Sequence, residues 1–80
     1  MATLAERLKE LRKSYNLTQA ELGKILGVGK TTISMYETGN STPSDDIKVK
    51  ISEHFNVSID YLLGKTDFKN YNKRSEERRV

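Results

Sequence analysis

The sequence predicts an all-α chain: five short helices packed as one compact bundle, with a polar tail behind them. Three observations carry that prediction. Apolar residues recur three and four apart, as in Leu4, Leu8, Leu11 and Tyr15, and nowhere alternate with the period of a strand. Hydroxyl residues precede most of the apolar stripes, and glycine or asparagine follows them, where helices start and stop. The chain has 80 residues, 35% of them apolar, which is enough for one core and too little for two.

Each element has its own signals. Thr3-Leu4-Ala5-Glu6 is a capping box opening the first helix, whose inward stripe is Leu4, Leu8, Leu11 and Tyr15. Asn16 is suited to the left-handed conformation that ends it, with Leu17 packing back beneath. Thr18-Gln19-Ala20-Glu21 repeats the capping box and opens a second helix with Leu22, Ile25 and Leu26 inward, stopped by Gly27. A third runs from about Lys30 to Thr38, with Ile33 and Tyr36 inward and Gly39 behind it. Thr42 as cap would place Pro43 at the first helical position, where its missing N–H costs nothing; Ser44 is a competing cap. Asp45 and Asp46 then favour the positive end of a fourth helix with the stripe Ile47, Ile51, Phe55 and with Val49 off it. Ser58 caps a last short helix with Ile59, Leu62 and Leu63 inward, ended by Gly64. Residues 1–64 are thus expected to be the folded domain, and residues 65–80 a charge-dense tail or linker.

Composition excludes several function classes. There is no cysteine, hence no disulfide and no thiolate site, and the single His54 cannot build a metal centre. No cofactor is expected. No apolar run reaches the roughly 18 residues of a membrane span, and the N-terminus lacks a signal-peptide stretch, so the expected location is the cytoplasm. A chain this short rarely forms the deep pocket of an enzyme, and no nucleophile or acid–base pair is apparent. The net charge is +3, yet residues 1–64 sum to zero and the excess lies in residues 65–80. Any affinity for nucleic acid must therefore come from local geometry. Gly27-Val28-Gly29-Lys30-Thr31 ends like a phosphate-binding loop but has Lys24 where that motif needs glycine, and no strand before it.

The informative stretch is Gln19 to Thr38. Two short helices joined by a turn at Gly27, with Leu22, Val28, Ile33 and Tyr36 inward, make the pattern of a helix-turn-helix. Gly23 allows the two helices to approach closely. Outward on the second of them stand Lys30, Thr31, Thr32, Ser34 and Met35. None is needed for a core, and all can meet a base edge through a donor, an acceptor or an apolar group.

Residues 4–64 resemble the lambda-repressor-like helix-turn-helix family of phage repressors and Xre-type regulators. The resemblance rests on Arg7, Leu11-Arg12, Leu17-Thr18-Gln19-x-Glu21-Leu22, Gly27-Val28, Ile33-Ser34-x-Tyr36-Glu37-x-Gly39, Pro43, Ile51, Phe55-x-Val57 and Tyr61-Leu62-Leu63-Gly64. It implies a five-helix bundle whose third helix enters the major groove, with base contacts from Lys30, Thr31, Ser34 and Met35. It implies phosphate contacts from Gln19, Gly29, Asn40, Ser41 and Thr42. It also implies a buried ion pair of Arg12 with Glu37. The function implied is transcriptional repression by a homodimer on a palindromic operator in double-stranded DNA. Val49, Tyr61, Phe68 and Tyr71, with little local core to join, are expected at the dimer interface. The alternative is an antitoxin-type module that binds a partner protein through its tail as well as DNA. Gly23 departs from the alanine common in the family, and is expected to soften the second helix by up to about 1 kcal/mol. Gly29 replaces a frequent serine cap, and Lys48 a frequent leucine.

Overall fold

The computed structural model describes residues 3–66. Five helices follow one another: α1 Leu4–Ser14, α2 Gln19–Leu26, α3 Lys30–Thr38, α4 Asp45–Phe55 and α5 Ile59–Leu62. Local chemistry starts four of them. Thr3 Oγ1 accepts from the Glu6 N–H at 3.2 Å while Glu6 Oε1 accepts from the Thr3 N–H at 3.1 Å. Thr18 and Glu21 close the same box at 3.0 and 2.8 Å. Ser44 and Ser58 cap α4 and α5 through Ile47 and Tyr61. Each such cap stabilises its helix by about 1 kcal/mol. Asn16 and Asn56 end α1 and α4 by turning the chain through positive φ, at 58° and 56°.

The core is one cluster. Leu8 and Leu11 of α1, Leu22 and Leu26 of α2, Ile33 and Tyr36 of α3, and Ile51 and Phe55 of α4 meet Val57, Tyr61 and Leu62. Leu4, Leu17, Val28 and Ile47 pack around it. Each fully buried Leu or Ile contributes on the order of 1.5–3 kcal/mol. α3 lies between α1 and α2, which is what presents its remaining face.

Several residues differ from their expected places. Tyr15 follows the last residue of α1 and is 50% exposed. Its ring meets the edge of Phe55 at 4.9 Å instead of entering the core. Ile25 is exposed, because Leu22, Gly23 and Leu26 form the buried face of α2. At about 100° per residue, burial of Gly23 turns that face away from Ile25. Leu63 lies beyond the end of α5 and is exposed. The cap of α4 is Ser44, not Thr42, and Pro43 is buried ahead of the helix.

The largest correction concerns Tyr61. It is 7% exposed and belongs to the core of its own chain, so it is not a free aromatic for a dimer interface. Arg7, itself buried, lays its guanidinium over the Tyr61 ring, 3.9 Å from the centroid. The same guanidinium donates through Nη1 to the Thr66 carbonyl at 3.1 Å. The Lys65 N–H donates to the Asp60 carbonyl at 2.9 Å, so the chain stays packed for two residues past Gly64. Phe68 and Tyr71 lie outside the described residues.

Candidate nucleic-acid interface

The turn between α2 and α3 begins at Gly27, whose φ of 79° is a conformation side chains rarely adopt. The chain then doubles back, and the Val28 N–H donates to the Gly23 carbonyl at 2.8 Å. The Val28 carbonyl oxygen in turn sits over Gly23, 2.5 Å from where a Cβ would be. No ordinary Cβ tolerates that distance. Gly23 is thus a site of close backbone approach in the motif, and its effect on helix propensity is secondary.

α3 divides into two faces. Ile33 and Tyr36 are buried, and the Glu37 side chain is 3% exposed. Opposite them, Lys30, Thr31 and Met35 are exposed and Ser34 half-buried. At about 100° per residue these four share one arc. Thr32 is half-buried and falls beside Tyr36, at the inner margin of that arc. Thr38 lies within the arc and did not stand out in the sequence; its hydroxyl donates to the Met35 carbonyl at 3.2 Å. The helix opens at Gly29 with no side-chain cap.

The Met35 carbonyl also holds the loop that follows. It accepts from the N–H groups of Gly39, Asn40 and Ser41, the last two at 3.0 and 3.3 Å. Asn40 and Thr42 are exposed and Ser41 half-buried, and Ser41 and Thr42 share a shallow groove with Thr38 and Gly39 at the end of α3. Val49 is elsewhere, exposed on α4 along a shallow groove shared with Ile59 and Asp60.

What holds α3 at its angle is polar. Glu37 Oε2 accepts from Arg12 Nε at 2.6 Å and Oε1 from Arg12 Nη2 at 3.1 Å, a fork meeting a carboxylate. Arg12 is only 12% exposed, and its Nη1 donates to the Leu17 carbonyl at 2.8 Å. Gln19, at the first position of α2, adds a third donor: its Nε2 reaches Glu37 Oε1 at 3.2 Å. One carboxylate thereby ties α1, the α1–α2 loop and α2 to the end of α3. The Gln19–Glu37 bond was not legible in the sequence, since nothing local links residues eighteen apart.

Among the described residues no group of His, Asp and Glu side chains could hold a metal ion, and no helix is long and apolar enough to cross a membrane.

A family profile described as helix-turn-helix matches residues 8–62. The chain belongs to the helix-turn-helix family. Within that family it is 42% identical to the HTH-type transcriptional regulator ImmR of Bacillus subtilis (strain 168), over 81% of this chain and 51% of ImmR. It is 36% identical to the antitoxin PezA of Streptococcus pneumoniae serotype 4, over 76% of this chain and 39% of PezA. The chain therefore spans about half or less of the length of these relatives. Among solved structures it resembles the P22 c2 repressor protein in complex with the synthetic operator 9T. That match has a TM-score of 0.77 and 32% identity, covering 82% of this chain and all of that one.

Proposed function

We propose that this chain is the double-stranded DNA-binding domain of a transcriptional regulator, a repressor that acts as a dimer on a palindromic operator. The observation that carries the proposal is the exposed arc of α3. Lys30, Thr31, Ser34 and Met35 are presented on a helix whose other face is anchored by Ile33, Tyr36 and the buried Glu37. A rigid helix with donors, acceptors and an apolar tip on one face suits the major groove. Thr32 contributes from the margin of the contact. Gln19, the Gly29 backbone, Asn40, Ser41 and Thr42 flank the arc and hold the phosphates on either side, setting register without reading sequence. One short helix reads only a few base pairs, so two copies on half-sites about 34 Å apart supply the discrimination. Val49, exposed on α4, belongs to the face where the copies meet. The mechanism is occlusion of the transcription machinery, and the P22 c2 likeness to an operator-bound repressor supports it. The cell compartment that follows is the cytoplasm, and the reading includes no catalytic step.

The test is selection of bound duplexes from a random pool, followed by competition binding at fixed salt. Thr31→Ala and Met35→Ala should change preference at single base pairs by about 1–3 kcal/mol. Gln19→Ala should weaken all duplexes alike. No enriched sequence, or equal effects of all three substitutions on every duplex, would overturn the assignment.

A second reading rests on the likeness to PezA. An antitoxin-type chain would bind a protein partner through its tail in addition to DNA. Stoichiometric co-purification of a second protein, lost on removing residues 65–80, would favour it.

A further inference from the structure

From the contacts of its buried carboxylate, we infer that Glu37 is a positioning residue for DNA binding: it orients the Gln19 side chain as a phosphate donor. This rests on the proposed role of Gln19. A carboxylate only accepts hydrogen bonds, whereas a glutamine amide has one end that donates and one that accepts. The Glu37 side chain is 3% exposed and holds its place through two bonds from Arg12 at 2.6 and 3.1 Å. Its Oε1 faces the Gln19 amide at 3.2 Å, so the amide turns its nitrogen inward and donates one N–H. The nitrogen carries a second N–H, and no described residue takes it. A freely rotating amide would meet a phosphate with its oxygen as readily as with its nitrogen. The fixed amide meets it with a donor already oriented, and the rotamer entropy of Gln19 is lost on folding and not on binding.

The arrangement also accounts for a negative charge in the last turn of α3, where the helix dipole disfavours it. Arg12 neutralises the carboxylate, so its field does not repel the phosphate that Gln19 would hold. Glu37 touches no DNA in this scheme; it acts through Gln19.

The experiment is a double-mutant cycle on the full chain, read by fluorescence anisotropy on the selected duplex at fixed salt. Gln19→Ala should weaken binding about fivefold to tenfold, the loss of one phosphate hydrogen bond. Glu37→Gln keeps the shape but can face Gln19 with either end of its amide, and should cost a similar factor. Combined with Gln19→Ala it should add little. Because Glu37→Gln leaves Arg12 without its charge partner, the cycle is repeated in the Arg12→Met, Glu37→Leu background, which removes both buried charges together. There, Gln19→Ala should cost about twofold or less, as one weakened bond would. A separate readout needs no variant. In the native chain one Gln19 Nε2 proton is held by a carboxylate, so its two side-chain amide protons should be widely separated by NMR. If Gln19→Ala leaves affinity unchanged in the native chain, the phosphate role of Gln19 fails and the inference fails with it. If Gln19→Ala weakens binding by the same factor in both backgrounds, the phosphate role stands and only the positioning role is overturned. Two amide protons at ordinary, unseparated shifts would also overturn the positioning role.

Discussion

Helix α1 carries two largely buried arginines, and each ties it to a different part of the molecule. Arg12 faces α3 and meets a carboxylate through a fork of two bonds. Arg7 lies five positions earlier on another side of the helix, covers the ring of Tyr61 in α5 and donates to the Thr66 carbonyl. Both seams use a planar cation that keeps several donors in a fixed geometry, which lysine cannot do. They differ in what they hold. The Arg12 seam sets the angle of the helix that presents the exposed arc. The Arg7 seam holds α5 against α1 and fastens Thr66. The same side chain at two positions of one helix thus connects α1 to α3, and α1 to α5 and Thr66.

Substitutions can separate the two seams. Arg12→Ala should be the most damaging, at about 3–5 kcal/mol, since Glu37 is left desolvated and without its partner. The Arg12→Met, Glu37→Leu pair should recover much of that loss. Thermal unfolding checks both, and an Arg12→Ala chain with an unchanged Tm would refute the energetic role of the pair. Arg7→Ala should cost less, about 2–3 kcal/mol, from the lost ring contact and hydrogen bond. Hydrogen exchange distinguishes the two: Arg7→Ala should lower protection in α5 before α3, and Arg12→Ala the reverse. The same pattern from both variants would show that the seams are not separate.

Gly23→Ala probes the turn between α2 and α3, where two effects oppose each other. Helix propensity alone predicts a gain of about 1 kcal/mol. The Val28 carbonyl, 2.5 Å from the new Cβ, predicts a net loss of about 1–2 kcal/mol as the turn shifts. A rise in Tm would show that the turn moves without cost. The smallest effect is expected at Gly29. Its φ of −80° suits any residue, and a Cβ there meets nothing within 4 Å. Gly29→Ser should cap α3 and stabilise the chain by a few tenths of a kcal/mol. A measurable loss would mean that the bare backbone at Gly29 matters to the fold.

The helices were legible because their boundaries are local. A hydroxyl bonding three residues on and an asparagine or glycine in the left-handed region act over a single turn, so Thr3, Thr18, Ser58 and Gly39 did what their sequence context implies. The Arg12–Glu37 contact was implied only by resemblance, because twenty-five residues separate the two. Tyr61 was misplaced for a related reason. A tyrosine in a four-residue helix has no periodic stripe to join, and its cover comes from Arg7, far away in sequence. Tyr15 and Leu63 lie just past helix ends, where the helical period no longer directs the side chain, and Ile25 lies on a short helix whose three-residue stripe does not determine which arc is buried.

The five helices, most of their caps, the tight turn at Gly27 and the resemblance to the family were legible in the order of residues alone. All of these depend on interactions within a few residues or on patterns repeated along one helix. The packing of the helices settled which of the outward residues share one arc, that the Val28 carbonyl is what lies over Gly23, and where Tyr61 resides. It also decided that one carboxylate gathers Arg12 and Gln19. These outcomes depend on how three helices cross, and that crossing is set by contacts between helices, the packed core together with the Arg12–Glu37 fork, not by any one helix's own residues.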